Sequence, residues 1–152
     1  MGDSKYINKR PLFGWQLNHA FYPDGNEKKI SWAIQTNDSI IDQSREHVEV
    51  YKNKISNLQS KYVALHIGLF WGIGVFKIKN EDVVKIKLDE KIMFDQLSTD
   101  LKIEDGFIEN WIKFIKQLII QRKLKIQFDL IKQDENLANK ILEAKELKTK
   151  NG

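Results

Sequence analysis

The chain has 152 residues, no cysteine, 25 Lys/Arg against 21 Asp/Glu, and a net charge of +4. That size suits one domain burying roughly 68–70% of its unfolded surface without covalent staples. The missing cysteines exclude disulfides, thiol catalysis and cysteine-based zinc sites, and 41% hydrophobic with 30% charged residues fits a soluble globular chain.

Met1 to Tyr6 lacks the apolar core of a signal peptide, and Tyr6 stands where myristoylation wants Ser or Thr. The longest near-apolar run, Tyr62 to Phe76, contains His66 and is too short to cross a bilayer. A cytoplasmic, non-membrane protein is expected, with frayed ends at 1–10 and 146–152. Residues 111–152 carry ten Lys/Arg against five Asp/Glu, so the basic surplus lies in the C-terminal third. Such a surplus favours polyanions non-specifically and says nothing about fold.

In chain order, Phe13, Trp15, Leu17, His19 and Phe21 alternate with smaller or polar residues. Pro23-Asp24-Gly25-Asn26 supplies turn chemistry, and Ile30, Trp32 and Ile34 resume the alternation. A hairpin of strands near 12–22 and 28–36 is expected. Thr36-Asn37-Asp38-Ser39 is rich in N-cap residues and predicts a long helix over 39–60. Its apolar stripe, Ile41, Val48, Tyr51, Ile55 and Leu58, is narrow enough to be a seam against another helix of this chain or of a second copy.

Tyr62 to Phe70 reads as a central strand buried on both faces. Strands at 62–70, 74–79 and 83–88 then form an antiparallel meander. A short helix near 91–98 follows, and Asp105-Gly106 opens a largely apolar helix over 107–122 that should lie on the sheet. A strand at 124–130 and an amphipathic helix over 135–148, opened by Asp134-Glu135, complete the chain. The expectation is one α+β domain over 1–152, with a mostly antiparallel mixed sheet and about four helices.

The pairing of 75–79 with 83–88 has a derivable register. A three-residue loop at Asn80-Glu81-Asp82 sets Ile78 against Val84 and Phe76 against Ile86. Lys77, Lys79, Lys85 and Lys87 then share one face, which would suit a polyanion or simply stay solvated.

Other constellations are weaker. Asp38, Asp42, Glu46 and Glu49 would fall on one face of the 39–60 helix, a solvated row without converging ligands. His19, His47 and His66 show no metal spacing; His19 and His66 read as core or half-buried residues. Gly68, Gly72 and Gly74 match no phosphate loop and read as bulges or strand bends. No Gly-x-Ser-x-Gly occurs, and no serine stands near a plausible histidine partner in sequence. The four tryptophans sit on four elements, as core residues do, with Trp71 the one most apt to be exposed.

From residue 62 the predicted order, three antiparallel strands, helices, a strand and a helix, is similar to the first part of ribonuclease H-like folds. That resemblance implies an aspartate in the first strand, a glutamate in the following helix and an aspartate at the next strand, converging on two metal ions. Glu109 and Asp129 fit the last two places, but the first strand offers only His66 and Gly68. The resemblance therefore implies an inactive relative, and function must still be argued from the site.

Three readings follow. The first is a non-enzymatic binding module that contacts nucleic acid or another polyanion through Lys77, Lys79, Lys85 and Lys87. The second is a homodimer, or a partner of another helical protein, using the seam of Ile41, Val48, Tyr51, Ile55 and Leu58. The third is a metal-dependent ribonuclease H-like hydrolase or its inactive relative. The sequence leans toward a protein that is not an enzyme and points to no catalytic residue, cofactor or metal site.

Overall fold

A computed structural model describes residues 18–143. β1 (Asn18–Gly25), β2 (Lys29–Gln35) and β3 (Ile40–Glu46) form an antiparallel meander. β4 (Val83–Leu88) pairs parallel to β1 and β5 (Lys125–Leu130) parallel to β4, giving the order β3-β2-β1-β4-β5. The helices are α1 (Asn57–Gly74), α2 (Lys91–Ser98), α3 (Gly106–Arg122) and α4, described over 137–143 after a 3₁₀ turn at Gln133–Glu135. The protein is thus a single α+β domain with a five-stranded mixed sheet.

The expected first hairpin forms, displaced toward the C-terminus. Pro23 and Asp24 lie inside β1, and the turn is made by Asn26, whose Oδ1 accepts the N–H groups of Lys28 and Lys29 at 2.8 and 2.9 Å. Residues 12–17 of the expected first strand lie outside the described residues, as do both ends expected to fray and the helix beyond 143.

The 39–60 helix does not form. Thr36–Ser39 is the β2–β3 turn, closed by Thr36 N–H donating to Ser39 O at 2.9 Å, and β3 follows. Ile41, Gln43 and Arg45 share one strand face, with Arg45 5.1 Å above the Trp32 ring. The seven-residue recurrence runs through a strand, the turns after it and the start of a helix, so it is the property of no single element.

Nor is 62–70 a strand. It is the middle of α1, whose start carries a capping box: Ser56 Oγ accepts Gln59 N–H at 3.0 Å and Gln59 Oε1 accepts Ser56 N–H at 2.9 Å. α1 is apolar nearly all round because the sheet covers one side and α3 another. Gly68 and Gly72, one turn apart, let it approach the sheet closely. A Cβ at Gly68 would lie 2.8 Å from Trp32 Cγ, and one at Gly72 2.8 Å from Ile34 Cδ1. These glycines are therefore helix–sheet contacts, not bulges.

The 62–88 meander is accordingly absent. Residues 75–82 are a loop in which Lys77 and Ile78 N–H groups donate to Gly72 O, and Phe76 takes a φ of 62°. The 91–98 and 107–122 helices and the 124–130 strand occur as expected. α3 packs along α1, which itself occupies the sheet.

Candidate functional site

β1 and β4 are adjacent and parallel, with Phe21 opposite Ile86. The same stagger brings Asp24, near the end of β1, beside Asp89, which directly follows β4. α1 passes across these strand ends, and its Lys61 enters between the two aspartates. Lys61 Nζ donates to Asp89 Oδ1 at 2.9 Å and Glu90 Oε1 at 3.3 Å, and lies 3.7 Å from Asp24 Oδ1.

The C-terminal segment closes the cluster. Asn136 Nδ2 donates to Asp89 Oδ2 at 2.9 Å and Pro23 O at 3.1 Å, while Asn139 Nδ2 donates to Asp24 Oδ2 at 2.9 Å. Asn136 Oδ1 accepts Ala138 N–H and so caps α4. Ser31 Oγ donates to Ala138 O at 2.9 Å, fixing α4 on the sheet face opposite α1.

The arrangement is sealed as well as paired. Side-chain exposure is 4% for Asp24, 2% for Asp89 and 10% for Lys61; only Glu90, at 41%, reaches solvent. Burial raises the Asp24 carboxyl above its usual range, against the pull of Asn139 and Lys61. Burial also pulls the Lys61 ammonium down, but the hydrogen bond and charge of Asp89, joined by Asp24 and Glu90, outweigh it. Its net shift is upward and the amine is held protonated.

Beside the cluster, Gly25 lies against Ser60, and a Cβ there would collide with Ser60 Oγ and sit 3.1 Å from the Ser60 backbone carbon. Ser60 Oγ is 2.7 Å from His47 Nε2, which also faces Asn26 O at 3.1 Å. The fold thus joins a serine and a histidine thirteen residues apart in sequence. Ser60 is wholly buried and its hydroxyl donates to Lys29 O at 3.4 Å, so the pair braces the β1–β2 turn and has no access to a substrate. Burial lowers the His47 pKa, against the pull of the Asn26 carbonyl.

The residues singled out from sequence lie elsewhere. Lys77 and Lys79 are in the 75–82 loop, and Lys85 and Lys87 are on the β4 face turned away from Val84, Ile86 and Leu88. Lys87 donates to Asp129 Oδ2 at 2.9 Å. No four-lysine hairpin face exists, because β4 lies between two parallel neighbours. Ile41 is on β3, Val48, Tyr51 and Ile55 are in the following turns, and Leu58 is in the first turn of α1, so no single helix carries the seam. Asp42 and Glu46 are on β3, not on a helix face with Asp38 and Glu49.

Glu109 is in the first turn of α3 and Asp129 on β5; neither joins the Asp24–Asp89 cluster. His19 is buried with Nε2 2.9 Å from Asp82 Oδ2. His66 is on a helix, ringed by Phe70, Trp111 and Phe114, and burial lowers its pKa. Trp71 is half-buried against Trp32, their rings 5.8 Å apart.

No protein-family profile matches the sequence, and no curated protein resembles it significantly. Solved structures do match. RNase H1 from the halophilic archaeon Halobacterium salinarum NRC-1 superposes with a TM-score of 0.64 at 15% identity, covering 85% of this chain and 98% of that one. The N-terminal RNase H domain of a Mycobacterium tuberculosis protein gives 0.65 at 16% identity, covering 88% and 99%. LC11-RNase H1 in complex with an RNA/DNA hybrid gives 0.65 at 15% identity, covering 82% and 92%. The fold is RNase H-like.

This corrects the leading sequence reading. A binding module built on a lysine hairpin gives way to an RNase H-like fold, the order of elements starting at β1 and not at residue 62. Among the described residues no helix is long and apolar enough to cross a membrane.

The two metal ions implied by the ribonuclease H-like pattern do not fit here. All four oxygens of Asp24 and Asp89 already face donors, from Gly25 N–H, Lys61, Asn136 and Asn139. No group of three or more His, Asp or Glu among the described residues is arranged to hold a metal. A divalent ion about 4 Å from the ammonium would be repelled by on the order of 8 kcal/mol at an effective dielectric near 20.

Proposed function

We propose that this chain is an inactive relative of the ribonuclease H-like hydrolases, with a nucleic-acid duplex, foremost an RNA/DNA hybrid, as its partner class. The observation that carries the reading is Lys61 Nζ seated between Asp24 and Asp89. Asp24 stands at the first-strand place of the pattern and Asp89 at the next-strand place. Lys61 takes the place of the helix glutamate. A cation built into the chain replaces the ligand that metal-dependent phosphoryl transfer requires, and burial keeps a scissile phosphate from reaching the aspartates. The partner class is supported by the hybrid bound to LC11-RNase H1 and by the net charge of +4.

The test is a time course on a labelled RNA/DNA hybrid with Mg²⁺ or Mn²⁺, alongside gel-shift titration at several salt concentrations. Intact substrate throughout, with a salt-sensitive shift, is the expected result. Cleavage that Asp89→Asn abolishes would refute inactivity, and no shift at low salt would refute the partner class.

A further inference from the structure

We infer that the Lys61 ammonium is the resident cation of this site, doing structurally what a divalent ion would do: it gathers Asp24, Asp89 and Glu90, and through the two aspartates it docks the C-terminal segment. The inference rests on the reading of the chain as an inactive relative and adds what the altered site is for.

Like charges at the ends of two adjacent parallel strands repel, and both carboxylates are buried away from water. Lys61 answers both at once, because its compact, three-donor ammonium reaches Asp89 at 2.9 Å and Glu90 at 3.3 Å and lies 3.7 Å from Asp24. Each aspartate keeps its second oxygen for an asparagine of the C-terminal segment, Asn139 on Asp24 and Asn136 on Asp89. Asn136 is wholly buried and Leu142 4% exposed, so the segment is part of the core and not a loose cover. The chain of contacts runs from Lys61 through a carboxylate to an amide on each side. Removing the charge therefore loosens a segment that Lys61 itself does not touch.

The same geometry makes the cation replaceable. Lys61→Glu puts a fourth carboxylate among three, which needs an external cation; Lys61→Met removes the charge and creates no ligand. The experiment follows thermal unfolding of the full chain, wild type and both variants, with and without millimolar MnCl₂. Amide hydrogen exchange over 131–143 is read in parallel.

Wild type should be unmoved by Mn²⁺. Both variants should melt lower and exchange faster over 131–143, and Mn²⁺ should restore only Lys61→Glu. Restoration should vanish in Lys61→Glu combined with Asp89→Asn. Equal behaviour of the two variants with Mn²⁺, or unchanged protection of 131–143 in both, would overturn the inference. Should the variants not fold, wild type decides. Its Asp24, Asp89 and Lys61 resonances should escape paramagnetic broadening by Mn²⁺, and selective broadening there would overturn it. Hydrolysis of the hybrid by wild type would sink the inactive-relative reading instead, so the two failures are distinguishable.

Discussion

Asn136 holds Asp89 with one end of its amide and caps a helix with the other: Nδ2 donates to Asp89 Oδ2 and Oδ1 accepts Ala138 N–H, both at 2.9 Å. One buried side chain thereby couples the start of α4 to the end of β4.

Asn136→Ala removes a cap worth about 1 kcal/mol and leaves a buried carboxylate oxygen short of a donor at about 1–3 kcal/mol. A loss of about 2–4 kcal/mol is expected in urea unfolding. Asn139→Ala should cost less, since Asn139 gives Asp24 a hydrogen bond but has no cap to lose. Equal losses would mean that the cap contributes nothing.

Lys61 sets an alkaline limit. Its folded pKa is raised above the ordinary 10.5 despite burial, because Asp89, Asp24 and Glu90 favour the charged form. For a base with a raised folded value, the stabilisation is complete below 10.5 and is lost as pH climbs through the folded value. At neutral pH, Lys61→Met should be less stable by about 3–5 kcal/mol, the cost of orphaning a buried carboxylate pair. The gap in urea midpoint between the two proteins should narrow as the solution becomes strongly alkaline. A gap that stays constant would show that Lys61 acts by packing rather than charge.

Two glycines of α1 should respond with opposite signs. At Gly68 an added Cβ meets Phe21 Cζ at 2.5 Å and Trp32 Cγ at 2.8 Å, whereas at Gly74 nothing lies within 4 Å. Gly68→Ala gains about 1 kcal/mol of helix propensity against about 1–3 kcal/mol of overpacking, so it should lower the melting temperature. Gly74→Ala should raise stability by about 0.4–1 kcal/mol. Calorimetry of the two single variants checks both signs.

Much of the architecture was legible because some segments have one solution. β2, β5 and α3 follow from clean periodicity, and Asp105 from the N-cap chemistry of Asp-Gly before an apolar run. The miss at α1 had a legible counter-signal, since Ser56-Asn57-Leu58-Gln59 is a capping box. It was outweighed because a helix covered on two sides and a doubly buried strand give the same near-continuous apolar run. That miss displaced the ribonuclease H-like order to residue 62 and led to Glu109 and Asp129, which lie apart from the Asp24–Asp89 cluster.

What the sequence determined by itself was local: a tight turn between the first two strands, the alternation of β4 and β5, and the absence of any thiol site. What only the tertiary structure decided was the cluster of Asp24, Lys61, Asp89 and Asn136, drawn from two strand ends, a helix and the C-terminal segment. The physical reason is the parallel pairing of β1 with β4, a contact across more than sixty residues. Periodicity reports which face of an element is apolar; it does not say which other element lies beside it.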